Sequence, residues 1–300
     1  MSAPAARTAR VLVIGDVMID YIVRPEGPIA VGSDRRAAIV RRSGGSAANQ
    51  AAWLAHFGVG VDFVGRVGAA DHARETALLQ DAGVDPLLAA DPRYETGRLI
   101  ALVDPDGERS FLTDRGANDG LEAADIPDAL IAGADVVHLS GYSFVARSPR
   151  AAMIDVIARA AGRPIGVDPA SAEFLREIGP QNFLAWTRGA TTLFPNSEEA
   201  AVLAQTEDQE AQSAFLGAHY PLVVIKRGAK GCEAIEGARR WRVAAPPARA
   251  IDSTGAGDAF VAGFLVARLR GEPIEACLGK AVAAGAAATE IVGARPAPRN

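Results

Sequence analysis

Two cysteines in 300 residues, Cys232 and Cys277, are too few for a disulfide framework and have no metal-ligand spacing. They read as small buried apolar residues in a reducing compartment. Four histidines (His56, His72, His138, His219) are scattered without a shared spacing, so none is assigned a catalytic or metal role. Positive charge is not in excess. Lys and Arg number 31 against 36 Asp and Glu, and the net charge of −5 counts against nucleic-acid and anionic-membrane partners. It leaves room for an anionic nucleotide held locally by backbone and metal. Apolar runs of membrane-spanning length are missing. The opening MSAPAARTAR is polar and Ala-rich, and Val11–Ile14 is too short for a signal core. Repeats, low-complexity tracts and long linkers are absent as well. The expectation is one soluble, cytoplasmic folding unit over residues 1–300.

What is there begins with DSTGAGDAF, Asp252 to Phe260. A polar turn and a nearly bare Gly255-Ala256-Gly257 backbone lead into apolar positions at helical spacing (Val261, Phe264, Leu265, Leu269). Such a loop leaves N–H groups pointing outward at the positive end of a helix dipole, where an anion can sit. A carboxylate there, Asp258, would repel a bound phosphate. It has a use if it takes a proton from a hydroxyl that attacks phosphorus. The stretch reads as a phosphoryl-transfer site, against the plainer reading of a helix start with Asp258 as a dipole partner.

Short apolar runs recur along the chain and end in polar residues: Val11–Ile14 at Asp16, Val136–Leu139 at Ser140, Pro164–Val167 at Asp168, Thr192–Phe194 at Asn196, Leu222–Ile225 at Lys226. They alternate with Ala-rich helical stretches such as 151–161 and 197–204, which predicts an α/β fold with a parallel sheet covered by helices. Polar residues at strand carboxyl ends are where such a sheet gathers ligands. Two further segments, about 21–42 and 97–113, are strand-like insertions. The second turns at Asp104-Pro105-Asp106-Gly107. They predict either a small sheet standing off the main body or two ordinary surface hairpins.

SGGSAAN (Ser43–Asn49) precedes an Ala-rich helix. Gly44 and Gly45 let backbone approach a ligand closely, and Asn49 donates and accepts at once, which suits a polyol. A turn followed by Ser46 as helix N-cap is the alternative. DSTGAGDAF and SGGSAAN resemble the two signatures of the ribokinase-like (PfkB) family of carbohydrate kinases, and the resemblance runs from Val11 to about Gly293. It implies a three-layer α/β/α fold with a mostly parallel sheet and a small β lid, which in the family is often a homodimer surface. It implies an ATP-dependent kinase acting on a hydroxymethyl group of a sugar or sugar-like acceptor. A nucleoside kinase of the same fold and a non-catalytic sugar or nucleotide sensor are the alternatives. Tyr21, Tyr142 and Phe144 are the aromatics placed for a nucleoside base.

Residue by residue, the resemblance makes Asp258 the general base and the amides of Gly255, Ala256 and Gly257 the anion hole. Asp16, Asp20, Gly44, Gly45 and Asn49 would hold the acceptor. Arg115, in the loop Asp114–Asn118, is placed to meet an acceptor phosphate or carboxylate, or is a solvated turn arginine. Asn196 and Glu199 match the NxxE motif, with Glu199 orienting waters of Mg2+. Lys226, Gly228, Gly231 and Thr254 would lie along the nucleotide. Ala284, within the small-residue run Ala281–Ala288, would either face adenine or pack between helices. Asp252 and Thr254 match a potassium site. Two departures count against ribose itself: Met18 stands where ribokinases carry Asn, and Ser140-Gly141 where they usually place a glutamate.

Overall fold

Along β1 (Arg10–Ile14) the side chains alternate between two cores, Val11 and Val13 entering one and Leu12 and Ile14 the other. That alternation makes β1 an interior strand of a sheet covered on both faces. The computed structural model describes all residues except 1–8, 30, 105–108, 170 and 298–300. The expected turn at 104–107 therefore lies largely outside the described residues.

The chain continues through β2 (Met18–Pro25), β3 (Ala37–Gly44), α1 (Ser46–His56), β4 (Gly60–Gly68), α2 (His72–Asp81), β5 (Asp85–Asp91), β6 (Gly97–Val103) and β7 (Arg109–Asp114). Then come α3 (Asp128–Gly133), β8 (Val136–Ser140), α4 (Arg147–Arg159), β9 (Ile165–Asp168), α5 (Ala172–Ile178), α6 (Pro180–Trp186), β10 (Thr192–Leu193), α7 (Ser197–Ala204) and α8 (Gln209–His219). The last part holds β11 (Leu222–Lys226), β12 (Cys232–Glu236), β13 (Arg239–Val243), α9 (Ala256–Leu269) and α10 (Ile274–Thr289).

The main sheet runs β13-β12-β11-β10-β9-β8-β1-β4-β5. It is parallel from β11 to β5, with β12 and β13 as an antiparallel edge. Five of its strands coincide with the apolar runs read from sequence. β4 and β5 escape that reading because Gly, Asp and Arg interrupt β4 and a Pro opens β5. Helices α1, α9 and α10 pack on one face, and α4, α6 and α8 contribute to the core of the other. The chain leaves β1 toward β4 on one side and returns through β8 on the other. This reversal opens a crevice beyond the strand carboxyl ends.

A second sheet, β3-β2-β6-β7, is built from the two insertions. Its register puts Asp20 opposite Arg42 and Leu99, while Tyr21 faces the other way with Arg41 and Ile100. Among the described residues no helix is long and apolar enough to cross a membrane.

Candidate active site

β1 hands the chain to Gly15-Asp16 at the crevice floor. Asp16 is 2% exposed, and both its oxygens are used by the protein. Oδ2 accepts from the Ser46 backbone N–H at 2.9 Å and Oδ1 from Ser140 Oγ at 2.8 Å. Asp16 therefore anchors the start of α1 to the end of β8. Ser46 is not the N-cap. Gly45 is, at φ 95°, and a Cβ there would stand 2.5 Å from the Asp16 carbonyl oxygen. Gly44 makes room for Asp20, whose carboxyl carbon would lie 2.5 Å from a Gly44 Cβ. Asp20 Oδ1 is buried without a hydrogen-bond partner. Burial pushes this carboxyl up to about 6, with Arg295 opposing and Asp16 and Glu75 adding. An unfilled acceptor atom in a cleft fits a donor hydroxyl.

Asp258 sits in the first turn of α9, behind the left-handed Gly255 (φ 79°). Its Oδ1 accepts from Ser46 Oγ at 2.7 Å and its Oδ2 from Asn49 Nδ2 at 3.2 Å. The two sequence signatures thus meet at one carboxylate. Burial pushes Asp258 up to about 7; the Ser46 hydrogen bond opposes this, Asp168 adds to it, and Asn49 and Lys226 oppose. The Gly257 backbone is open, and the nearest atom to a Cβ there would be Lys226 Nζ at 3.8 Å. A cation therefore overlooks the helix mouth, where the Ala256 N–H donates to Ser253 O at 3.3 Å.

Lys226 ends β11, with Nζ 2.9 Å from Asp168 Oδ2. Burial works against its charge, yet Asp168 and Glu199 hold its pKa above the ordinary value. Its backbone N–H donates to Pro195 O at 2.8 Å, which brings the Asn196 loop alongside. Asn196 and Glu199 form a reciprocal cap. Asn196 Oδ1 accepts from Glu199 N at 2.9 Å, while the Glu199 oxygens accept from Asn196 N (2.8 Å) and Nδ2 (2.7 Å). Burial pushes Glu199 up to about 7 against Lys226, whose charge opposes the rise.

Gly228 and Gly231 turn the chain from β11 into β12, with Gly231 wedged against the end of β13. Asp252 spans the loop before α9: Oδ1 accepts from Thr254 N at 2.9 Å and Oδ2 from Gly293 N at 3.1 Å. Ala284 packs against Gly263, two turns into α9, and Gly285 lies beneath Ala256. Arg115 is 8% exposed and lies over the Tyr142 ring at 5.2 Å, so it is no solvated turn arginine. Its Nε has no hydrogen-bond partner, and Asp119 Oδ1 stands 3.6 Å away. Tyr142 follows the carboxyl end of β8, and burial keeps its hydroxyl protonated, with Asp16, Glu199 and Asp258 pushing the same way and Arg115 opposing.

Several residues of the site escape sequence reading. Asp168 is signalled only as a polar strand end. Gln50 donates to Asp168 Oδ2 at 3.1 Å and to Ser46 Oγ at 3.3 Å, and meets His138 Nε2 at 2.8 Å through Oε1. Burial holds His138 down to about 4 and so neutral. Lys226, Asp168, Gln50, Ser46, Asp258 and Asn49 form one connected polar chain from the ends of β11 and β9 to the starts of α1 and α9. Arg295, which meets Asn49, has no signal in the sequence at all.

Residues 8–300 match the family described as pfkB family carbohydrate kinase. The chain belongs to this family. It is 33% identical over 286 residues to the ATP-dependent ribose-1-phosphate kinase of Halopiger xanaduensis, covering 93% of this chain and 90% of that protein. It is 31% identical to Fructokinase-1 of Oryza sativa, covering 90% and 85%. Adenosine kinase from Sinorhizobium meliloti superimposes with a TM-score of 0.86 at 27% identity, over 97% of this chain and 96% of that one. As a pfkB-family member with such relatives, the chain is an ATP-dependent sugar or nucleoside kinase with the ribokinase fold.

Proposed function

We propose that the chain transfers the terminal phosphoryl group of ATP to a hydroxymethyl group of a small sugar or sugar-like acceptor, with Asp258 as the general base. The observation that carries this reading is the position of the Asp258 carboxylate. It stands at the mouth of α9 while bonded to Ser46 and Asn49 of the acceptor signature. The acceptor lies on Asp20, Gly44, Gly45 and Asn49, its reactive hydroxyl at Asp258. The amides of Gly255, Ala256 and Gly257 face charge developing on the transferring group, with Lys226 beside them. Asp258 takes the proton as the oxygen attacks phosphorus.

Mg2+ neutralises nucleotide phosphates when bound. Glu199 would reach it through water, since both its oxygens already meet Asn196. Asp252, 7% exposed at the root of the anion-hole loop, would hold a monovalent cation such as K+ with Thr254. Arg115, a buried guanidinium over the Tyr142 ring whose Nε pairs loosely with Asp119 at 3.6 Å, favours an acceptor that carries a phosphate or carboxylate. The nucleoside reading has less support. Phe144 is 0% exposed and packs on Phe183, and Tyr21 faces away from Asp20, leaving Tyr142 against Phe174. The second sheet serves as lid and as homodimer surface, its outward face carrying exposed Ile39, Ile100 and Leu112. No nucleic acid or membrane partner is proposed, and the setting is cytoplasmic.

ADP release measured against pentoses, hexoses, keto-acid sugars, sugar phosphates and nucleosides tests the reading. Turnover of a sugar or its phosphate, lost in Asp258→Asn, supports it. Silence on every acceptor despite ATP and sugar binding would overturn it in favour of a sensor.

A further inference from the structure

After α10 the chain crosses back over the site in three residues. Gly293 N donates to Asp252 Oδ2 at 3.1 Å, and Ala294 O accepts from Trp53 Nε1 at 2.9 Å. Ala294 lies so close to Gly255 that a Cβ on that glycine would overlap it. Arg295 then reaches the acceptor signature, donating from Nη2 to Gly44 O at 3.0 Å and from Nε to Asn49 Oδ1 at 3.1 Å. We propose that Arg295 is a positioning residue for phosphoryl transfer, holding the Asn49 amide in the one orientation that presents Nδ2 to Asp258. The proposal rests on the reading of Asp258 as base.

Donor and acceptor capacity fixes the orientation of the amide. A carboxamide has a donating end and an accepting end of nearly the same shape, and nothing in α1 itself selects between them. An ionised Asp258 only accepts, and a guanidinium only donates. With Asp258 at one end of the amide and Arg295 at the other, a single polarity satisfies both. If the amide were flipped, two oxygens would face each other at Asp258 and two N–H groups at Arg295. Arg295 is itself fixed by charge, lying near Asp20 of β2, Glu75 of α2 and Asp258 of α9. The groups facing Asp258 are Ser46 and Asn49 from α1, Asp168 from β9, Lys226 from β11 and Arg295 from the tail. The tail thus joins the Asp252–Gly255 loop to the Gly44–Asn49 loop and adds a cation that favours the base in its ionised form.

The experiment is steady-state kinetics of Arg295→Ala, Arg295→Lys, Asn49→Ala and the Asn49→Ala/Arg295→Ala pair in the full chain, from about pH 5 to about pH 9. Arg295→Ala should lower kcat on the order of tenfold or more, leave the KM for ATP within about twofold, and move the acid limb of kcat to higher pH. Arg295→Lys keeps the charge without the fork, so its acid limb should stay near that of the unaltered chain while kcat remains reduced. At about pH 9, above the acid limb of every variant, the Arg295→Ala loss should largely vanish on the Asn49→Ala background. Additive losses in the pair, or a loss of kcat that tracks lowered thermal stability with an unmoved acid limb, would overturn the proposal. Full turnover by Asp258→Asn would instead overturn the base assignment itself, so the two failures are distinguishable.

Discussion

Ser46 Oγ donates to Asp258 Oδ1 at 2.7 Å across 212 residues of sequence. One residue opens α1 and the other lies in the first turn of α9, so two helices aim their amino-terminal ends at the same point. Each end brings its own signature, SGGSAAN on the first and DSTGAGDAF on the second. The hydrogen bond keeps the Asp258 carboxylate in register with both.

Asp258→Asn should lower turnover by about 10²- to 10⁴-fold while the KM for ATP changes little. In the unaltered chain, kcat should fall as pH drops through about 7, where Asp258 gains its proton. A rate that is flat between about pH 5 and about pH 8 would contradict the base assignment.

The same shift bears on stability, with a definite sign. A carboxyl whose pKa rises from 3.8 unfolded to about 7 folded binds its proton more tightly when folded. Its contribution is favourable at low pH and is lost as pH rises through that window. Asp258→Asn should therefore raise Tm relative to the unaltered chain by more at about pH 8 than at about pH 5. Calorimetry at the two values checks this, and an equal difference at both would refute it.

Asp20→Asn should raise the KM for the acceptor by roughly 10- to 100-fold, the worth of a hydrogen bond to a charged group, and leave the KM for ATP alone. Isothermal titration with acceptor and with ATP analogue separates the two effects. An equal loss for both ligands would remove Asp20 from the acceptor site.

Gly44→Ala should act through Asp20, because the new Cβ enters the space of its carboxylate. Acceptor affinity should fall with little change in Tm. Gly45→Ala differs: its φ of 95° strains any side chain, so it should cost about 1–3 kcal/mol of stability as well. Thermal melts of the pair distinguish displaced ligand chemistry from backbone strain.

Ile39→Asp with Leu112→Asp should convert a dimer to a monomer in sedimentation, because both residues lie on the lid face opposite Asp20 and are about 60% exposed (62% and 59%). An unchanged sedimentation coefficient would overturn the proposal that this face is a homodimer surface.

Local pattern determined much of this protein. Short apolar runs that end in polar residues read as interior strands, and DSTGAGDAF as a small-residue loop before a helix, because backbone sterics and burial act over a few residues. That is why five strands, the two signatures and Asp258 are legible without a structure. Tertiary packing alone decided what each polar group meets. Asp16 is spent on Ser46 and Ser140, Lys226 is held by Asp168, and Ala284 sinks into a helix seam. Arg295 comes from the tail to Asn49. Such partnerships depend on which strand ends and loops the sheet order brings together, and no spacing along the chain encodes that order.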